Sequence, residues 1–526
     1  MVISQSCDHL DFGDTNSVRG KKSTSQIAED DVDIKTKWGS IFVIAIVAFI
    51  SMIPASVVGP IEWAYLQISD HQADEAFYGY LVSGNALGQI LSSAIFGFVS
   101  NRLQQVKAPI LAGYVLAIIS CGIYISIEFV SHNKRFIFIG FEFILGLAVG
   151  AIQMYKIHVA MASSSKDRSK AFAMVSLAGM LAMISGPVMQ YCFSMYLKYP
   201  GLRLLYGLHL NVFTAPGYLI IIFSFIGIGI MSLYFSSGET MKDSEAAKVK
   251  KQITKIQMKD LDDISIGQGV TLYDTLKKKK KVVKLDYLAI LVCFIIKFAI
   301  SITIILLRTI MIPYIQAVFA FNAKELVTYT SIIQMGIAIL SVLWYISYIW
   351  FKLGTKLSER AAIVWGLCIL VVFYLISFPW AFYEMTIRQN LDINMIEIDP
   401  QITLNSSDIC KYEWCKQTPA VNGYVLFPAI IIAIGTASPL ILINLECLYS
   451  KLLRTINQGT MQGIFMALGD LLAVISPLIF NYLYEMYGPT IIWTFQLIFN
   501  CATLLIVFLT FDRLVVSPSI TITQRK

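Results

Sequence analysis

Residues 80–107 read YLVSGNALGQILSSAIFGFVSNRLQQVK, and this stretch decides which solvent the chain is built for. From Tyr80 it offers about twenty apolar or small residues, enough for one helix to cross the hydrocarbon core of a bilayer. Gly84, Gly88 and Ser92 recur every fourth residue and so share one helical face, which lets a neighbouring helix approach closely. The run closes at Gly97, followed by Asn101 and the base Arg102, as a helix entering a cytosolic loop would.

The rest of the chain has the same character. Of 526 residues, 56% are hydrophobic and 14% charged. A soluble protein of that size cannot hide so much apolar surface, so lipid is the solvent for much of it. Twelve runs have spanning length, at roughly 38–60, 79–100, 108–129, 136–160, 171–196, 212–236, 287–311, 325–350, 361–383, 421–447, 459–482 and 489–511. They divide into six and six around a polar segment, 237–286. Such a pattern fits a duplicated protein whose halves pack about an axis along the membrane normal. The expected plan is a tail at 1–37, bundles at 38–236 and 287–511 joined by 237–286, and a tail at 512–526. The first apolar run reads as an uncleaved anchor.

Charge sets the expected topology. With both termini in the cytosol, cytosolic segments carry 30 of the 41 Lys and Arg, and the opposite loops carry 8. The remainder are Lys156, Lys297 and Arg308, inside spans. The net charge of +7 therefore reflects orientation rather than nucleic-acid binding. The run Lys277 to Lys281 reads as an orientation signal, or as a contact for anionic lipid. The long loop 384–420 faces the lumen in this scheme. It holds the only glycosylation sequon, Asn405-Ser406-Ser407, and Cys410 and Cys415, either a disulfide or two free thiols. Tyr273-Asp274-Thr275-Leu276, in the linker, has the form of a tyrosine-based signal for sorting adaptors. No spacing of the nine cysteines suggests a metal, and no phosphate loop or nucleophile elbow appears. The expectation is no enzyme and no cofactor.

Ionisable residues inside a membrane are costly and usually face a cavity or a partner. Glu142 in the fourth run and Arg308 in the seventh lie at similar depth near the lumenal side, so an ion pair there would act as a gate. The alternative is that each reaches the interface separately. Lys297 and Asp470 lie near mid-bilayer, where they neutralise one another or serve a substrate or proton. Lys156 and His158 sit about one turn from the cytosolic end of the fourth run. There Lys156 either reaches back to the interface or attracts an anion. Glu62 ends the first run on the lumenal side.

Gly97-x-x-x-Asn101-Arg102 after the second run resembles the loop motif of the major facilitator superfamily, although an acid normally stands where Asn101 does. Gly186-Pro187 in the fifth run is similar to that superfamily's Gly-Pro pair. The resemblance implies an all-α membrane protein of twelve transmembrane helices in two six-helix bundles, with helices 1, 4, 7 and 10 around a central cavity. Further segments resemble one lysosomal family within it, linked to a ceroid lipofuscinosis: Leu87-Gly88-Gln89, Ser131-His132-Asn133-Lys134, Leu357-Ser358-Glu359-Arg360-Ala361, Leu448-Tyr449-Ser450-Lys451 and Gln458-Gly459. That family has Asn where Asn101 stands, but Arg at Glu142, Glu at Arg308 and Arg at Ala473. The chain lacks the family's N-terminal dileucine signal.

These readings imply a secondary transporter of the lysosomal or another endomembrane, moving a small polar or anionic solute by alternating access. Its partners would be the bilayer, the solute and protons. Gly97, Asn101, Arg102 and the loop Lys352–Arg360 would latch the cytosolic side. The alternatives are the chloride channel activity assigned to the resembling family, and a non-transporting adaptor or sensor.

Overall fold

The computed structural model describes residues 36–235, 286–389 and 412–514, apart from short breaks within them. Twelve described helices are long and apolar enough to cross a bilayer. Numbered in chain order, spans 1 to 6 are Trp38–Val57, Phe77–Leu103, Lys107–Ser126, Lys134–Ala162, Arg168–Tyr196 and Ala215–Tyr234. Spans 7 to 12 are Tyr287–Leu307, Thr328–Trp350, Glu359–Ser377, Gly423–Leu453, Gly459–Tyr487 and Pro489–Leu509. Span 1 begins, and span 12 ends, on what we call the terminal face.

Each half packs by the same scheme. Span 2 lies against 4, 1 against 5, 3 against 4 and 6, and 1 against 6. In the second half 8 lies against 10, 7 against 11, 9 against 10 and 12, and 7 against 12. Between the halves, span 2 packs on 11 and span 8 on 5. Each of these pairs maps onto its counterpart when six is added to the span number, so the fold is two equivalent six-helix bundles.

Lipid tails are as apolar as leucine, so close packing rather than hydrophobicity holds such helices together. Spans 2 and 4 show how. A Cβ on Gly88 would lie 2.9 Å from Leu147 N, and one on Gly150 would lie 2.9 Å from Ser92 Cβ. The backbones touch because both helices present small residues. Gly186 in span 5 faces Ser56 of span 1 with the same lack of room. The outer faces, with Phe42, Ile95, Phe98, Leu233 and Leu509 exposed, are apolar and meet lipid.

Two departures from regular helix matter for the site. The first helix stops at Val57, and a second, Gly59–Ser69, starts at Gly59-Pro60, a pair that interrupts helical hydrogen bonding. Span 4 breaks at Gln153-Met154 into Lys134–Ile152 and Tyr155–Ala162.

The apolar core shows where the bundles are shut. One cluster belongs to the second bundle alone and another to the opposite half of the first bundle alone. The third joins Ile41, Val159 and Phe172 of the first bundle with Tyr348, Leu440 and Met466 of the second. The bundles therefore share a core toward the terminal face.

Candidate functional site

The seam between the bundles carries buried charge. The break in span 4 turns Lys156 toward the second bundle, where its Nζ lies 2.8 Å from Oε1 of Glu446 in span 10. Glu446 is 7% exposed, although it lies in a segment that must cross lipid. Lys156 thus does not reach the interface as one sequence reading had it, because an acid from the other bundle meets it first. Lys297 of span 7 runs past Gly469 of span 11, where a Cβ would come 2.7 Å from its Cε. Its Nζ lies 5.5 Å from the centre of the Phe465 ring. Asp470 follows Gly469. Lys156 and Lys297 each lie within electrostatic reach of both Glu446 and Asp470.

Lys297 and Asp470 do not form the direct ion pair that the sequence suggested as one option; among the described residues no ion pair within the 4.0 Å limit joins them. Asp470 Oδ2 and Glu446 Oε2 are buried and accept no hydrogen bond from a described residue. Nearby, Asn444 donates to Tyr348 Oη of span 8 and to Leu440 O, which anchors the helix turn that presents Glu446. Glu446 is the residue that sequence reasoning missed. Its one signal was an acid inside an otherwise apolar run.

Glu142 has an acid for a neighbour. Glu62, carried in by the helix Gly59–Ser69, lies within electrostatic reach of it, and both are under one-tenth exposed. Asn85 of span 2 donates to Glu142 O at 3.2 Å. Gln89 Nε2 donates to Asn85 Oδ1 at 2.6 Å, and Gln153 Nε2 donates to Gln89 Oε1 at 3.4 Å. Gln153 is the residue at the span 4 break, and its carbonyl accepts from Lys156 N. A polar chain therefore runs between helices from the acid pair to the seam. Arg308 belongs to the helix Tyr287–Thr309, but its side chain lies outside the described residues, and with it the expected pair to Glu142.

On the terminal face, a Cβ on Gly97 would lie 2.9 Å from Gly463 Cα, and one on Gly459 would lie 2.9 Å from Asn101 N. Spans 2 and 11 are thus in backbone contact there. Arg102 is exposed. At the start of span 9, Glu359 pairs with Lys451, and Arg360 donates to Phe511 O at 3.0 Å and stacks on its ring. Both contacts stay within the second bundle. His158 is buried rather than interfacial, with Nε2 2.6 Å from Ser40 Oγ. Cys415 is buried and disulfide-bonded. Asn405, Cys410, Tyr273 and Leu276 lie outside the described residues.

Two equivalent six-helix bundles meeting on buried opposite charges define a class of membrane protein, the two-bundle carriers and their relatives. The model described as Major Facilitator Superfamily matches residues 44–389, and the chain belongs to that superfamily. It is 24% identical over 500 residues to Major facilitator superfamily domain-containing protein 8 of Xenopus laevis, covering 92% of this chain and 93% of that one. Among solved structures it resembles the proton:xylose symporter XylE bound to 6-bromo-6-deoxy-D-glucose, with TM-score 0.61 and 13% identity over 91% of this chain and 96% of that one. It also resembles the human organic anion transporter MFSD10 (TETRAN), with TM-score 0.54 and 13% identity over 89% and 99%. FucP in its outward conformation gives TM-score 0.56 and 11% identity over 90% and 98%. At such identities the likeness shows the fold.

Proposed function

We propose that this protein is a secondary transporter that carries a small polar or charged solute across an endolysosomal membrane by alternating access. The observation that carries this reading is the Lys156–Glu446 bridge. It joins the two bundles, it is buried, and it lies beside two further charges. Parting the bundles must break it, and the exposed groups are then free to hold a solute. An intramembrane charge with no such task is costly to keep.

The excess of Lys and Arg, 30 against 8, supports a cytosolic terminal face. The shared core on that side then corresponds to a state closed to the cytosol. The disulfide at Cys415 fits a loop in an oxidising lumen. The lysosomal family that the chain resembles supplies the compartment, and Tyr273 and Leu276 would supply the contact for sorting adaptors. A carrier is favoured over a chloride channel because the backbones of Gly97 and Gly463 meet directly, so the bundles must part before anything passes.

Purified protein in liposomes tests this. A carrier gives saturable uptake with counterflow. Unitary anion currents without counterflow would replace the carrier with a channel. Tight binding of a protein partner with no flux would favour the adaptor.

A further inference from the structure

The seam charges are two ammonium groups, Lys156 and Lys297, and two carboxylates, Glu446 and Asp470. If all four are ionised their sum is zero. Only Lys156 and Glu446 are in direct contact. One oxygen of each carboxylate, Glu446 Oε2 and Asp470 Oδ2, is buried without a donor, and Glu446 is more than nine-tenths buried. Lys297 has no carboxylate within ion-pairing distance among the described residues and lies over the Phe465 ring instead. The seam thus offers acceptors and a donor of opposite charge side by side.

We propose that this seam binds a zwitterionic solute, one bearing both an ammonium and a carboxylate as an α-amino acid does. The solute's ammonium is held by Asp470 Oδ2 and Glu446 Oε2, and its carboxylate by Lys297. This inference rests on the transport reading above and names its substrate class.

The argument is charge balance in a poorly solvated place. A buried charge left without a partner carries a desolvation penalty that only a close opposite charge offsets. A monoanion would satisfy Lys297 but leave the seam with one excess negative charge and two acceptors still unfilled. A monocation would satisfy the carboxylates but leave Lys297 unpaired and one excess positive charge. A solute with both groups supplies each side and leaves the sum at zero. The three groups that hold the solute come from spans 7, 10 and 11 of the second bundle, and Lys156 of span 4 binds the other oxygen of Glu446, so the solute is linked to the first bundle through that bridge, as alternating access needs.

The test uses the full chain in liposomes and measures counterflow of labelled alanine, glutamine and leucine beside lactate and ethylamine. Amino-acid exchange should exceed both single-charge solutes about ten-fold or more, the size of a lost charged hydrogen bond. Asp470→Asn and Lys297→Gln should each reduce amino-acid exchange by about ten-fold. Lactate exchanged as fast as the amino acids would overturn the zwitterion and leave the carrier standing. So would undiminished lactate exchange in Asp470→Asn, since that marks a site for an anion with a proton on Asp470. The wild-type panel decides the point even if a variant fails to fold. If no solute exchanges, thermal protection of the purified protein by alanine, glutamine or leucine, but not by lactate or ethylamine, keeps the site and discards the transport reading. Absence of both exchange and protection discards both.

Discussion

Glu62 and Glu142, both buried, lie within electrostatic reach of each other at the face away from the termini, and Glu62 Oε1 accepts no hydrogen bond from a described residue. Two carboxylates brought together out of water repel, and a proton on one of them relieves that repulsion. The titratable groups facing the pair are Tyr124 and Cys121 of span 3, with Tyr65 beside Tyr124; none carries positive charge. Burial first, and then the Glu142 charge, hold the Glu62 carboxyl well above the usual carboxylate range. The folded state therefore holds its proton more tightly than the unfolded chain does. The stability involved is fully present below the ordinary carboxylate value, about 4.3, and is lost as pH rises toward the folded value. The melting temperature in detergent should fall as pH is raised from about 5 to about 8. Glu142→Gln, whose amide donates without titrating, should flatten that slope. A variant with the wild-type slope would show that the pair holds no such proton.

Lys156 and Glu446 give a second test. Lys156→Met leaves Glu446 buried with no counter-charge, which costs about 3–5 kcal/mol when one partner of a buried pair is removed. Lys156→Met with Glu446→Leu removes both charges and should recover most of that stability. Counterflow should not recover, because the groups that face the solute are gone. Full transport by the double variant would reduce the bridge to a structural contact.

The fold could be read from the chain because lipid demands long apolar runs, and each is visible without knowledge of its neighbours. The close approach of helices was readable at Gly88 and Gly186, but not at Gly84, where a Cβ would meet nothing nearer than 4.0 Å, nor at Gly97, which the sequence marked only as the start of a loop motif. The site was not. Glu446 lies in Asn444-Leu445-Glu446-Cys447, at the end of a run, where an acid reads as interfacial. Only the arrival of Lys156, from 290 residues away, makes it a buried pair. Glu142 has a neighbour that the sequence did not suggest. The chain turns at Gly59, and Tyr65 packs among Tyr124, Phe138 and Phe213, bringing Glu62 to Glu142. A pair of like acids brought together by a turn between helices leaves no trace in a sequence.

Orientation is open to a direct measurement. Arg102 and Arg203 are both exposed, the first at the terminal end of span 2 and the second between spans 5 and 6 on the other face. In a background with Cys7, Cys192, Cys368 and Cys501 replaced by Ser, Arg102→Cys should react with an impermeant maleimide only from the cytosol. Arg203→Cys should react only from the lumen. The reverse pattern would invert the topology and place the shared core on the lumenal side.

Gly97 and Gly463 bring the two bundles together backbone against backbone, and a side chain there must push them apart. Gly97→Leu places a bulky group against backbone, and overpacking of this kind costs about 1–3 kcal/mol. That strain falls on the state in which the terminal face is closed, so the population moves toward the open one. Cys447 reports the change. It is a free, fully buried thiol of span 10 within the core that both bundles share. Its alkylation, followed by mass spectrometry, should speed up about five-fold or more in Gly97→Leu, the shift that 1 kcal/mol produces. Gly84→Leu is the control, since no atom lies nearer than 4.0 Å to a Cβ there. Equal alkylation in the two variants would mean that spans 2 and 11 do not govern closure of this face.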